Sequence, residues 1–144
     1  MYGDRDRMRN QFLDAWQKAR NEEPLSDMEQ VLVGIIRDHP EYHALLNDRE
    51  KALTAEFPPE SGTTNPFLHM SMHMGLREQA ATDRPAGIRD LHRRLCARYG
   101  ELDAEHRMME CLGQALWESQ RSGQPPDEAQ YLECLKRLEG IIGA

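Results

Sequence analysis

A chain of 144 residues, of which 39% are hydrophobic and 30% charged, is long enough to bury a core as a single domain without disulfides or partner subunits. The formal net charge of -7 repels phosphate backbones, so nucleic-acid binding is not expected. No apolar run is long enough to cross a bilayer, so the sequence also argues against a membrane partner.

The first half of the chain is predicted to form three helices and one long loop. Apolar residues at helical spacing predict a first helix at about residues 6–19. Ser26 and Glu29 form a capping box at the start of a second helix, and a first-turn proline opens a third at residues 40–46. The polar stretch at residues 47–64 contains two consecutive prolines and a glycine, and it is predicted to be a long surface loop.

The second half is predicted to be helical apart from short turns. Asn65 and Pro66 have the residue types of an N-cap and a first helical turn. The helix that they open, at about residues 66–81, is apolar on every face, which is typical of a helix buried inside a bundle. Amphipathic helices follow at about residues 88–99, at residues 104–121 after an N-cap at Asp103, and after the prolines at 125 and 126. The sequence therefore predicts an all-α fold, an irregular bundle of about six helices with one long loop in a single domain, residues 1–144.

The three cysteines give an expectation about location. Cys96, Cys111 and Cys134 form no Cys-x-x-Cys motif, and an odd number without such spacing predicts free thiols in a reducing compartment. The first residues are polar and charged, unlike a secretory signal. We therefore expect a cytoplasmic protein.

Histidines at metal-chelating spacing are the main functional signal. Five histidines and one glutamate form three pairs whose members are four residues apart: His39 with His43, His69 with His73, and His106 with Glu110. Residues four apart lie one above the other on the same face of a helix, where two of them can hold one metal ion. Imidazole and carboxylate without thiolate are ligands for divalent iron, manganese or zinc.

The pair His69 and His73 carries the most weight because it lies in the predicted buried helix. A buried imidazole without a hydrogen-bond partner costs about 1–3 kcal/mol, and a metal ion would satisfy both rings at once. The alternative is that each ring bonds a carboxylate or carbonyl of a neighbouring helix, or that the stripe faces a solvent groove.

The other pairs give weaker indications. His106 and Glu110 share a helical stripe with Trp117 and are predicted to face inward, although a helix-surface pair is the simpler alternative. Pro40 lies between His39 and His43, so His39 is expected at a helix cap and not inside a helical turn.

Two further residues of metal-binding type favour a structural interpretation. His92 lies on an apolar face with Leu91 and Leu95, where a hydrogen-bonded core histidine is the commoner role. Glu29 is interpreted as the capping-box residue.

Known metal motifs only partly match. The His-Glu-x-x-His string of zinc peptidases and the paired Glu-x-x-His strings of ferritin-like di-iron bundles are absent. The ligand types are similar to those of haemerythrins, which implies a non-haem di-iron centre that binds oxygen, but the order of the pairs differs. They equally resemble the three-histidine mononuclear centre of DinB-like helical bundles.

Several specific strings resemble one family. The chain is similar to the domain-of-unknown-function family eighteen forty-one, found mainly in proteobacteria, over nearly its whole length. The resemblance rests on four strings: residues 39–43 (His-Pro-Glu-Tyr-His), residues 64–69 (Thr-Asn-Pro-Phe-Leu-His) with His73, residues 77–85, and residues 105–110 (Glu-His-Arg-Met-Met-Glu). It implies a cytoplasmic bacterial protein and no particular activity.

Three functional hypotheses follow. The first is a metal-binding helical protein whose ligands come from His69, His73, His106, Glu110, His43 and His39. The second is a non-catalytic interaction domain with structural histidines, in which methionines around Met70, Met72 and Met74 form part of a docking face. The third is a metal-independent hydrolase or transferase with His69 or His73 as general base. The sequence leaves open a protein partner or a homo-oligomer, and it identifies no small-molecule ligand.

Overall fold

The structure, a computed structural model, describes residues 3–58 and 64–143. Within these residues there are eight α-helices, one 3₁₀ turn and no strand. The elements in chain order are α1 (Asp4–Arg20), α2 (Asp27–Arg37), the 3₁₀ turn (Pro40–Tyr42), α3 (His43–Leu46), α4 (Arg49–Thr54), α5 (Pro66–Thr82), α6 (Ile88–Tyr99), α7 (Glu101–Ser122) and α8 (Glu128–Gly143). The predicted all-α fold is confirmed, with eight helices instead of about six. None of the described helices is long and apolar enough to span a membrane.

Two predicted boundaries are wrong. The stretch predicted as a loop at residues 47–64 contains α4, which begins where the Asp48 carboxylate accepts a hydrogen bond from the backbone N–H of Lys51 at 3.2 Å. Residues 59–63 of that stretch lie outside the described residues. Helix α7 begins at Glu101 and not after Asp103, because Gly100 adopts a φ of +84° that turns the chain directly from α6 into α7.

The described residues fall into two compact units, Met1–Met74 and Gly75–Ala144. In the first unit α1 packs on α2 and α4, and α3 packs on α4. Ser26 and Glu29 form the expected capping box of α2. Phe12 and Phe67 meet edge to face at 6.3 Å within an apolar core. The largest fully buried residues of that core are Leu13, Ile35, Ile36, Phe67 and Met70.

The buried position of Met70 corrects one sequence-based expectation. Met70 is fully buried, and Met74 packs against the same apolar core. Met70 therefore cannot contribute to the docking face expected of an interaction domain, whereas Met72 and Met74 are half-buried.

A buried arginine links the start of the first unit to the end of α4. Arg9 is 2% exposed, and its Nη1 donates to the backbone carbonyls of Ala52 at 2.9 Å and Ala55 at 2.8 Å. The guanidinium also lies over the ring of Phe67, 4.9 Å from its centroid. The last carbonyls of a helix have no partner within that helix, so the arginine side chain serves as a C-terminal cap for α4.

We expect Arg9→Met to lower the free energy of unfolding by about 2–3 kcal/mol, because buried carbonyls lose a charged donor while the apolar volume is kept. Urea unfolding followed by circular dichroism measures the change. Arg5→Met is the matched control: Arg5 donates to Ala55 and pairs with Glu56, but it is exposed, and its loss should cost less than about 1 kcal/mol. Equal losses for the two variants would contradict the capping role.

In the second unit α6, α7 and α8 pack against one another. Tyr131 of α8 is buried, and its hydroxyl donates to the side-chain oxygen of Gln79 at 2.8 Å. The prediction of three free thiols is wrong, because Cys111 and Cys134 form a disulfide between α7 and α8 and only Cys96 is free. The two cysteines are distant in sequence, and only the packing of α7 on α8 brings them together. The sequence-based argument for a reducing compartment therefore loses its basis.

Candidate metal centre

His39 is placed by the end of helix α2. Its ring is 3% exposed, and Nδ1 lies 2.7 Å from the carbonyl oxygen of Ile35, one turn earlier in the chain. A carbonyl can only accept a hydrogen bond, so Nδ1 carries the proton and the lone pair of the neutral ring is on Nε2. A backbone carbonyl that fixes the tautomer of an imidazole in this way is a common partner of metal-binding histidines.

His69 and His73 are placed by helix α5. The Asn65 side-chain oxygen accepts hydrogen bonds from the backbone N–H groups of Phe67 at 3.0 Å and Leu68 at 3.3 Å, which fixes where the helix begins. The two histidines then fall one turn apart on one face, with their Nε2 atoms 3.3 Å apart. His73 is fully buried, whereas His69 is half-buried.

The three rings form one cluster. The ring centroid of His39 lies 5.1 Å from that of His69 and 4.9 Å from that of His73. The centroids of His69 and His73 are 4.9 Å apart, and all three contacts are edge to face. Each ring is therefore in contact with the other two.

The three histidines meet within the first unit. His39, His69 and His73 each offer one ring nitrogen, and these three atoms lie within 4.8 Å of one another. One member of the first predicted pair and both members of the second are therefore brought together. His106 of the third pair lies in the second unit, where it is exposed.

The distances suit a single metal ion. An ion bonded to two imidazole nitrogens at about 2.0–2.1 Å in tetrahedral geometry separates those nitrogens by about 3.3 Å. The Nε2 atoms of His69 and His73 are 3.3 Å apart. The donor set, all imidazole, and the tautomer of His39 that its bond to Ile35 fixes suit such an ion.

The remaining predicted ligands are elsewhere. Nε2 of His43 lies 2.7 Å from the carbonyl oxygen of Ile36, and the ring packs on that of Trp16 with centroids 4.7 Å apart. Neither His43 nor Glu110 belongs to the histidine group. The expectation that the stripe of α7 faces inward is wrong, because His106, Glu110 and Trp117 are exposed.

Tyr42 is a neighbour of the cluster that sequence reasoning did not single out. Its ring stacks parallel to that of His39, with centroids 5.4 Å apart. Burial raises the pKa of the Tyr42 phenol, with a smaller contribution from the charge of Glu41, so the phenol is neutral near pH 7. The stacked ring restrains the plane of His39. The available signal was the short string at residues 39–43, in which the aromatic residue lies between the two histidines.

A buried ionic network in the second unit was also missed. Glu105 of α7 is fully buried, and both of its oxygens lie 3.2 Å from Nε of Arg77. Nε2 of His92 lies 2.8 Å from the same carboxylate, which agrees with the structural role inferred for that residue. A carboxylate at this depth requires such partners.

Cys96 lies beside this network and is poorly suited to be a nucleophile. Its sulfur is 3.6 Å from Nε2 of His92. Burial, together with the charges of Glu105 and Glu101, raises the pKa of the Cys96 thiol to about 11. The thiol is therefore protonated at neutral pH, and a reactive cysteine needs the thiolate.

The chain belongs to the family described as a domain of unknown function, DUF1841, whose model matches residues 4–137. The match confirms the family resemblance seen in the sequence. No curated protein and no solved structure matches the chain. The functional inference therefore depends on the geometry of the histidine cluster.

Proposed function

We propose that this protein binds one divalent transition-metal ion through His39, His69 and His73. The observation that carries the proposal is the convergence of three ring nitrogens of the first unit to within 4.8 Å of one another. Such convergence of side chains in a helical protein is how metal sites of bundles are built.

The geometry favours a metal over a purely structural cluster. A hydrogen bond between the rings of His69 and His73 uses the lone pair of one of them, whereas a metal ion takes a lone pair from every ring. A metal ion would therefore satisfy all three rings at once, including those of His39 and His73, which are 3% and 0% exposed.

The donor set favours one ion and not two. Di-iron centres of helical bundles have carboxylate ligands, and the cluster of His39, His69 and His73 contains none. This composition favours the mononuclear alternative over a haemerythrin-like centre. Imidazole ligands suit zinc and iron, and zinc prefers four nitrogen or sulfur ligands in a tetrahedron; manganese, which prefers oxygen, is the weakest of the three candidates.

The exposure of the ligands indicates what the ion would do. His39 and His73 are buried and His69 is half-buried, so the cluster reaches the surface of the first unit at His69. An ion held by three imidazoles with one position open to water would be a Lewis acid that can activate a bound water molecule. The buried His39 and His73 would hold such an ion from the interior.

Elemental analysis of protein purified without an affinity tag or chelator, followed by calorimetric titration with Zn²⁺, anaerobic Fe²⁺ and Mn²⁺, tests the proposal. We expect about one ion per chain, with its retention abolished by His69→Ala or His73→Ala, since each removes a ligand from a small set. His43→Ala is the matched control, because it removes a nearby histidine that bonds to Ile36 and should leave the affinity unchanged.

The outcomes decide whether the clustered rings hold the ion. A protein that takes up none of the three metals contradicts the proposal, as does an equal loss of affinity in His43→Ala and His73→Ala.

A further inference from the structure

The disulfide of the second unit lies at a pocket. Cys111 and Cys134 both line an open cavity of about 220 Å³ between α7 and α8. Cys111 is 2% exposed, whereas Cys134 is half-buried, so the sulfur of Cys134 is the more accessible of the two. The cavity can admit a small organic molecule but is below the usual size of pockets for larger ligands.

The pocket is acidic. Its charged lining residues are Glu118, Asp127 and Glu133 against a single base, Arg137. Asp127 is held in place because its carboxylate accepts the backbone N–H of Gln130 at 3.1 Å, as the cap of α8. Carboxylates around a concave surface produce a negative potential that attracts cations and repels anions.

We propose that the Cys111–Cys134 disulfide is a reversible redox centre whose exchange partner is a small cationic thiol, an aminothiol, that enters this pocket. The site is independent of the histidine cluster and of the metal. Its ligand class follows from the size of the cavity and from the excess of carboxylates around it.

Reduction of the Cys111–Cys134 disulfide consumes two aminothiol molecules. The thiolate of the first aminothiol attacks the Cys134 sulfur, a new S–S bond forms, and the Cys111 sulfur leaves as a thiolate and takes up a proton. A second aminothiol thiolate attacks the sulfur of the first, which releases the Cys134 thiolate and an aminothiol disulfide. The protein gains two electrons and two protons, and the two thiols are oxidised. The reverse reaction closes the bond.

Cys96 takes no part in this chemistry. Its thiol is protonated at neutral pH for the reasons given above, so it is no resolving nucleophile. The oxidised protein therefore contains one thiol that can be alkylated after denaturation, that of Cys96. After complete reduction three thiols are present.

The test measures how fast the folded protein exchanges with cysteamine. Samples are quenched in acid, denatured and alkylated, and intact mass distinguishes one alkylated thiol from three. The anionic thiol 2-mercaptoethanesulfonate is measured for comparison. Each rate constant is expressed per concentration of thiolate, which corrects for the different thiol pKa values of the two reagents. It is then divided by the rate constant of the same reagent with the unfolded protein in denaturant. We expect the folded protein to be reduced without unfolding, with cysteamine favoured by at least about threefold at low salt and the preference lost at high salt.

Substitutions test whether the carboxylates of the pocket cause the preference for cysteamine over the anionic thiol. Asp127→Asn with Glu133→Gln should bring the ratio of the two rates close to one, since Asn retains a helix cap while removing the charge. Glu128→Gln is the matched control: it removes an exposed acid of the same helix that does not line this cavity, and should leave the ratio unchanged.

Three results would overturn the proposal. The first is that neither thiol reduces the disulfide of the folded protein, although both reduce it in denaturant. The second is that cysteamine and 2-mercaptoethanesulfonate reduce the unsubstituted protein at similar rates. The third is that the protein is isolated with Cys111 and Cys134 reduced and does not form their disulfide in a buffer of cystamine and cysteamine.

Discussion

Adding the metal ion that we propose for the histidine cluster at a saturating concentration should raise the melting temperature by about 5–10 °C, and a chelator should reverse the rise. A ligand that binds only the folded state stabilises it by about 2.7 kcal/mol when present at 100 times its dissociation constant. For a chain of this length each kcal/mol corresponds to about 2–4 °C. Scanning calorimetry of the metal-free and the metal-loaded protein measures the shift.

The variants identify where the stabilising ion sits. In His73→Ala the shift should disappear, because the fully buried ligand is gone, while His43→Ala should retain it. Metal-dependent stabilisation that persists in His73→Ala would place the ion at another site. A rise in melting temperature of similar size for every divalent ion, Mg²⁺ included, would indicate nonspecific binding by the acidic surface and not coordination by imidazole.

Replacing Glu105 by alanine should cost about 3–5 kcal/mol of the free energy of unfolding, because the guanidinium of Arg77 and the ring of His92 lose the buried carboxylate between them. Urea unfolding monitored by circular dichroism gives the value. The matched control is Glu101→Ala, which removes a carboxylate 3.2 Å from Nη2 of the same arginine but 53% exposed. An exposed pair contributes less than about 1 kcal/mol.

The difference between the two variants is the informative quantity. A loss in Glu105→Ala no larger than in Glu101→Ala would mean that water replaces the carboxylate at little cost. Glu105→Leu adds a further comparison, because an apolar side chain beside Arg77 cannot replace the buried carboxylate, although the exposed Glu101 still pairs with that arginine. It should be at least as destabilising as alanine.

The relation between the histidine pairs and the cluster shows why spacing alone was an incomplete guide. His39 and His43 look equivalent as an i, i+4 pair, yet the structure uses His39 in the cluster and turns His43 toward Ile36 and Trp16. The proline between them starts a 3₁₀ turn, and this change of backbone rotates the two rings away from a common face.

The sequence by itself determined most of the local structure. Helical periodicity and N-terminal caps placed α2, α5 and α6 correctly, because caps and apolar spacing act over a few neighbouring residues. The pairing of His69 with His73 followed for the same reason, since both lie on one helix. The short helix α4 was missed because two prolines and a glycine beyond it dominated the composition of the whole stretch.

Only the tertiary structure decided which distant side chains meet. The contact of His39 with His69 and His73, the disulfide between Cys111 and Cys134, and the enclosure of Glu105 each join residues that belong to different helices. Such contacts depend on how helices rotate and pack, and a single sequence carries no local signal for those rotations. The histidines of the cluster were therefore visible in the sequence as candidates, but which of them meet was fixed by packing.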